Sequence, residues 1–170
     1  MMRWMVFAAL GLVVLVAGVI VAGLLLPTAH RASRSVVYDA TPGAVFAVIT
    51  DFARLPEWRT GISAVEVVES GDGRARFREQ GPNGTITYAV DAREPNARLV
   101  TRIDDPSLPF GGSWTFDLTP VAGGTELTIT EDGEVYNPIF RVMSRVIFSP
   151  YATIDTYQAD LRARLGTRRE

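Results

Sequence analysis

The 170-residue chain is 47% hydrophobic, has no cysteine and a single histidine, His30, and draws all seventeen of its basic residues from arginine. Without cysteine there is no disulfide framework, no thiolate metal site and no cysteine nucleophile, and one histidine leaves neither a multi-histidine metal centre nor a ready Ser-His-Asp triad. Beyond residue 26, sixteen arginines meet nineteen acids, a net charge of −3, so no basic face is offered to nucleic acid.

The apolar residues are unevenly spread. Met5 to Leu26 is a run of 22 residues without a charge, whereas the rest of the chain has the composition of an ordinary soluble domain. The run is longer than the roughly 7 to 15 residues of a signal-peptide core. As a helix it would span about 33 Å, enough for a hydrocarbon layer of about 30 Å. It reads as a retained single-pass transmembrane helix in a cell membrane, with cleavage after Pro27-Thr28-Ala29 as the alternative. Arg3 on one side and Arg31 and Arg34 on the other nearly balance, which leaves the side of the soluble part undetermined. Gly18 and Ala22 have the small-xxx-small spacing of helix pairing, a weak signal alone. His30, four residues past the run, reads as an interfacial linker residue. The division is thus an anchor and linker, residues 1–29, followed by a domain, residues 30–170.

In that domain, residues 28–40 alternate weakly, and Thr41-Pro42 then supplies an N-cap and a first-turn proline. Val45, Val48, Ile49 and Phe52 follow at helical spacing, and Leu55-Pro56-Glu57-Trp58 breaks the helix, with a second short helix or turn ending near Gly61. Six strand-length runs come next, at 62–69, 74–80, 85–92, 98–104, 113–119 and 125–132. They are separated by turns such as Gly71-Asp72-Gly73 and by a longer loop, 105–112, and predict an antiparallel meander. Alternation gives it an apolar face of Phe77, Ile86, Tyr88, Val90, Leu99, Ile103, Trp114, Phe116, Leu118, Leu127 and Ile129, shared by Glu79 and Glu131. Arg74, Arg76 and Arg78 fall on the opposite, solvent face. From Pro138 to Leu165 the period is helical. Phe140, Met143, Ile147, Ile154, Tyr157, Leu161 and Leu165 form one stripe, interrupted at Ser149-Pro150 by either a kink or a fresh helix start. A helix of this length needs an apolar partner, and the sheet face is the large one available.

This order of elements resembles the START-like, or SRPBCC, superfamily of polyketide cyclases/dehydrases and lipid-transport proteins. The resemblance rests on Asp39-Ala40-Thr41-Pro42, Thr50-Asp51-Phe52, Leu55-Pro56-Glu57-Trp58-Arg59, Trp114-Thr115-Phe116-Asp117-Leu118-Thr119-Pro120, Gly123-Gly124-Thr125 and the final helix, and covers residues 31–166. It implies an α+β helix-grip fold, a curved seven-stranded antiparallel sheet around the long C-terminal helix, here preceded by one transmembrane helix. It also implies a cavity for a lipid or other hydrophobic small molecule. Carried onto this chain, the lining would be Phe77, Tyr88, Trp114, Phe116, Ile129, Met143, Ile147, Ile154 and Tyr157, unless these side chains simply fill a solid core. With the first strand antiparallel to the last, the mouth lies at the anchored end. There Glu79 and Glu131 would stand at the rim and Leu108 and Phe110 would form an apolar loop tip facing the bilayer.

Chemistry is thinly signalled. Glu79 and Glu131 would serve acid-base catalysis only if they met, and read otherwise as solvated rim residues. Tyr88, Tyr136 and Tyr157 are the candidate phenols that related cyclases and dehydratases would suggest. The glycine turns lack phosphate-cradling spacing, and the residues call for no metal and no cofactor. Asn83-Gly84-Thr85 matches a glycosylation acceptor that would be idle in the GC-rich bacterium this arginine-, alanine- and valine-rich composition suggests. The sequence therefore favours a membrane-anchored binding or transfer module over a polyketide cyclase/dehydratase-like enzyme. It leaves the ligand and the oligomeric state open.

Overall fold

The structure, a computed structural model, describes residues 2–69, 75–82, 84–146 and 149–166. The turn 71–73, Asn83 and Ile147 lie outside these residues. Helix α1 spans Met2–Leu25, and its segment Arg3–Leu25 is long and apolar enough to cross a membrane. Only three residues separate it from strand β1, Ala29–Tyr38. Helix α2, Pro42–Thr50, opens as its sequence predicts: the Thr41 hydroxyl accepts from the Ala44 amide at 3.3 Å and Pro42 occupies the first turn. A 3₁₀ segment, Phe52–Glu57, follows.

Strands β2 (Ala64–Glu69), β3 (Arg76–Gly81), β4 (Gly84–Glu94), β5 (Arg98–Ile103), β6 (Phe110–Val121) and β7 (Gly124–Val135) then form a meander. With β1 they make one antiparallel sheet of seven strands, ordered β1-β7-β6-β5-β4-β3-β2. The ten residues of β1 pair without a break against Glu134 to Thr125 of β7. The first strand therefore lies beside the last, and the end of α1 is brought to the end of β7.

Strands β6 and β7 run further toward α1 than the sequence suggests, because Gly111, Gly112 and Gly133 are strand residues here and not loop. Gly112 has φ 131°, and a Cβ there would strike the backbone of Asp132 and Gly133. A Cβ at Gly133 would strike the His30 ring. His30 is thus no linker residue: it is the second residue of β1, paired with Gly133, and its imidazole fills the space the glycine leaves. The loop before β6 shortens accordingly, and Phe110 becomes a strand residue opposite Val135.

The C-terminal segment is divided. Helix α3 is Pro138–Val146 and helix α4 is Ala152–Leu165. Helix α4 buries Ile154, Tyr157 and Leu161 against the inward face of the sheet, where they meet Phe77, Leu99, Phe116, Leu118, Leu127 and Ile129 in one core with Val45, Ile49, Phe52 and Leu55. Gln158, buried on the same helix, ties it down: the Tyr38 hydroxyl donates to its carbonyl and to its side-chain oxygen, and its amide donates to the Arg34 carbonyl at 3.3 Å. The single stripe read from Phe140 to Leu165 is therefore split. Ile154, Tyr157 and Leu161 belong to the grip on the sheet, while Phe140 and Met143 sit on a helix that packs against α1.

The joint between α1 and α3 is built around Arg141. Its guanidinium donates to the carbonyls of Gly23 (2.8 Å), Leu26 (3.1 Å) and Tyr136 (3.0 Å) through the two terminal nitrogens and of Val135 (3.0 Å) through Nε. The last carbonyls of a helix have no partner within it and carry partial negative charge, so a cation there caps and neutralises them together. Gly23 permits the approach, since a Cβ would collide with the Pro138 backbone. Removing Arg141 would leave four carbonyls without their donor, and hydrogen bonds to charged groups are worth about 1.5–3 kcal/mol each in net terms. Arg141→Ala is expected to lower the thermal midpoint of the full chain in detergent micelles. Arg141→Lys is expected to restore little of it, because an ammonium lacks the planar five-donor fork.

Candidate functional site

The inward face of the sheet carries the candidate site. Rows of cross-strand neighbours run Ala32, Glu131, Trp114, Thr101 and Val90, and then Ile103, Tyr88, Phe77 and Val67. Period-two alternation points all of these to one side, the side on which α4 lies. Coverage is uneven along it. Phe77, Phe116, Ile129, Ile154 and Tyr157 are buried, whereas Tyr88, Trp114 and Ile103 are half-buried.

Aromatic rings form two linked sets there. Phe77 stacks on Phe52 (4.1 Å between centroids) and on Tyr88 (5.2 Å). Tyr157 packs edge-on to Trp58 at 5.3 Å and is tilted against Phe116 (5.3 Å) and Trp114 (5.8 Å). Offset and edge-to-face pairs of this kind hold each ring in one orientation.

A charged pair lies between the sets. Arg59, just after the 3₁₀ segment, donates from Nη1 to Glu79 Oε1 at 2.7 Å, and its guanidinium stands 4.8 Å over the Tyr157 ring. The side chains of Arg59 and Glu79 are only 18% and 8% exposed. The sequence reading of Glu79 as a solvated rim carboxylate therefore differs from its place in the structure: the curvature of the sheet turns β3 over the 3₁₀ segment, and Arg59 closes on the carboxylate. Burial pushes the Glu79 carboxyl above the ordinary carboxylate range, with Arg59 acting in the opposite direction. Burial likewise raises the Tyr88 and Tyr157 phenols, which, like any phenol at neutral pH, keep their protons and can donate.

Glu131, four strands away on β7, faces His30 at 3.5 Å. Burial raises its carboxyl too, against the pull of His30. The two glutamates thus have different partners, Arg59 and His30, rather than each other. Leu108 is half-buried in the loop before β6, and Phe110 is half-buried at the start of that strand. Met143 is exposed on α3. Tyr136, also exposed, donates to Glu134. Arg59 and Trp58 were not separable from the helix-breaking motif by sequence, since their partners lie 20 and 99 residues away; a lone arginine behind a tryptophan was the only signal.

Two surface clefts among the described residues border these elements. One of about 260 Å³ lies between Arg59 and Thr60 and the first turns of α4, where Thr60 donates to Asp160 through its amide and hydroxyl; it leads to Arg59 and Tyr157. The other, about 530 Å³, lies on the opposite face of the sheet, lined by Arg102, Asp104, Ser113, Asp132 and Glu134 among others. Ser113 and Asp132 pair with each other and alternate with the inward Trp114 and Glu131, which fixes the face.

Comparison with known proteins places this geometry. Residues 29–164 match the model of a family described as polyketide cyclase / dehydrase and lipid transport. A START superfamily protein from Mycobacterium smegmatis superposes with a TM-score of 0.65 at 20% identity, over 80% of this chain and 97% of its own. The Zhui aromatase/cyclase from Streptomyces sp. R1128 does so with a TM-score of 0.61 at 16% identity, over 81% and 92%. A Rhodobacter sphaeroides protein gives 0.57 at 26% identity, over 82% and 95%. No curated protein matches. The family match spans the whole sheet and nearly all of α4, and the solved structures share the grip of helix on sheet: the chain belongs to the polyketide cyclase / dehydrase and lipid transport family and has the START-like fold.

Proposed function

We propose that the protein is a membrane-anchored module that binds or transfers a hydrophobic small molecule or lipid on the inward face of its sheet. The observation that carries this reading is the uneven cover over that face. Helix α4 seals the half around Phe116, Leu127 and Ile129, but the chain leaves for α1 as α3, and Tyr88, Trp114 and Ile103 stay partly open toward the anchored end. An apolar wall with a few fixed polar groups at its edges, here Arg59–Glu79 and His30–Glu131, suits a largely apolar ligand with one polar end. Helix α1 supplies the anchor: it is apolar along its length, and nearly all of its side chains are uncovered by the rest of the chain.

A second reading has one specific observation behind it. Arg59, Glu79, Tyr88 and Tyr157 converge in a sheltered place. A guanidinium and two neutral phenols are donors suited to a substrate carbonyl, and a buried carboxyl held above its usual range is a candidate for proton transfer. That is the equipment of a cyclase- or dehydratase-like enzyme.

Native mass spectrometry of the full chain extracted from its own membranes tests both. A co-purifying hydrophobic adduct is expected, and its retention is expected to fall about tenfold in Trp114→Ala, the equivalent of losing about 1.4 kcal/mol of ring contact. Ligand-free protein from ligand-containing membranes would reject the binding reading. Conversion of the loaded compound, abolished by Glu79→Gln while binding persists, would establish the enzymatic one.

The Glu79 environment also predicts a pH dependence. Because its carboxyl binds a proton more tightly in the folded protein than in the unfolded chain, its contribution to stability is fullest at acid pH and is lost as pH rises through the raised value. Thermal midpoints of wild type and Glu79→Gln measured from pH 7 to pH 4 are therefore expected to shift progressively in favour of the wild type. Glu131 is common to both proteins and cancels in the difference.

A further inference from the structure

Helix α3 is amphipathic in the reverse sense to that of a water-soluble domain. At about 100° per residue, Arg141, Ser144 and Arg145 share one side of it and Ile139, Phe140 and Met143 another. The polar side meets the rest of the chain through the buried Arg141, while Arg145, nearer its edge, is exposed. Arg141 is 6% exposed and spends its donors on backbone carbonyls, and Arg145 reaches the Pro27 carbonyl at 3.4 Å. The apolar side is turned out, with Ile139, Phe140 and Met143 exposed by 39%, 51% and 37%. In water, each square ångström of apolar surface left exposed forgoes about 25 cal/mol, which favours the opposite orientation.

The position of α3 identifies what covers this face. Its first residue, Pro138, packs against Gly23 in the last turn of α1, and the stripe Val19, Ile20 and Gly23 is the least exposed part of α1 because α3 lies on it. The 23-residue segment Arg3–Leu25 of α1 spans about 34 Å, so a bilayer with a core of about 30 Å holds this joint at one of its two faces. The exposed side of α3 is then continuous with the lipid-facing side of α1.

We propose that α3 is a second membrane-contacting element, its Ile139, Phe140 and Met143 seated in the interfacial layer of the phospholipid bilayer that α1 crosses. The proposal rests on the anchoring reading above. With α1 joined to β1 by three residues and clamped by Arg141, two contacts with the bilayer fix the domain's attitude. The anchored ends of the strands, and the open half of the inward face behind them, are held against the membrane, so a lipid-like ligand can pass between bilayer and sheet without crossing water.

The natural absence of cysteine makes the test direct. Single-cysteine variants Phe140→Cys and Met143→Cys would be labelled with an environment-sensitive fluorophore in the full chain and reconstituted into phosphatidylcholine/phosphatidylglycerol vesicles with or without doxyl-labelled lipid. Val13→Cys, in the middle of α1, reports anchoring. Val121→Cys, at the β6–β7 turn on the far end of the sheet, reports water. Blue-shifted emission and quenching of about twofold by doxyl lipid are expected at 140, 143 and 13 and not at 121. Probes at 140 and 143 that behave like that at 121 while the probe at 13 is quenched would overturn the proposal and leave the anchor intact. No quenching at 13 would overturn the anchoring reading and this proposal with it. Protection at 140 from both doxyl lipid and aqueous iodide, with bis-maleimide cross-linking between copies, would overturn it in favour of a second copy of the chain.

Discussion

The pairing of β1 with β7 is the constraint on which the rest depends. Ten residues at the beginning of the domain lie in register against ten near its end, about a hundred residues later in the chain. Until that ladder forms, the meander is an open sheet with an unpaired edge on β7 and no fixed relation to α1. Once formed, it sets the residues after α1 beside those before α3, and Arg141 can reach Gly23 and Leu26. It also brings Tyr38 beneath α4, where it binds Gln158. Helix α1, the sheet and the closing helix are thus coupled through one long-range pairing, at a loop-closure cost that grows only slowly with the length of chain between.

The two halves of the C-terminal segment divide the work that one long helix would do alone. Helix α4 packs Ile154, Tyr157 and Leu161 on the sheet and closes the core at that end. Helix α3 is drawn off by α1, and the inward face near Tyr88 and Trp114 keeps partial access. Curvature matters equally: it carries β3 over the 3₁₀ segment so that Arg59 meets Glu79 in a place with little water. The 2.7 Å contact recovers the desolvation cost of the pair only in part, since burial outweighs Arg59 and leaves the Glu79 carboxyl above its ordinary range. The pair therefore reads as a fixed polar feature of the site more than as a source of stability.

Much of this was legible in the residues. Thr41-Pro42 marked the start of α2, and the alternation from Phe77 to Ile129 assigned the inward face, since a period of two leaves no freedom about which side a strand residue takes. Other features were not legible. Gly111, Gly112 and Gly133 looked like loop because glycine is usually a turn residue, but here it makes room for a neighbouring strand and for the His30 ring. His30 looked like linker because the alternation over residues 28–40 is weak and does not mark where the strand begins. Glu79 looked solvated because its partner, Arg59, lies in a different element. Phe140 and Met143 shared a helical period with Ile154 and Tyr157, but period alone does not say which surface a helix meets.

By itself, then, the sequence determined what is local and periodic: one apolar helix of membrane-crossing length, an antiparallel meander with a defined inward face, and a final amphipathic segment, together with the absence of thiol chemistry. Tertiary structure alone decided which charges meet, which half of the final segment grips the sheet and which half lies on α1, and hence how evenly the inward face is covered. Those outcomes depend on pairings between residues tens to more than a hundred positions apart. Their energies come from burial and hydrogen-bond geometry that exist only once β1 has closed on β7.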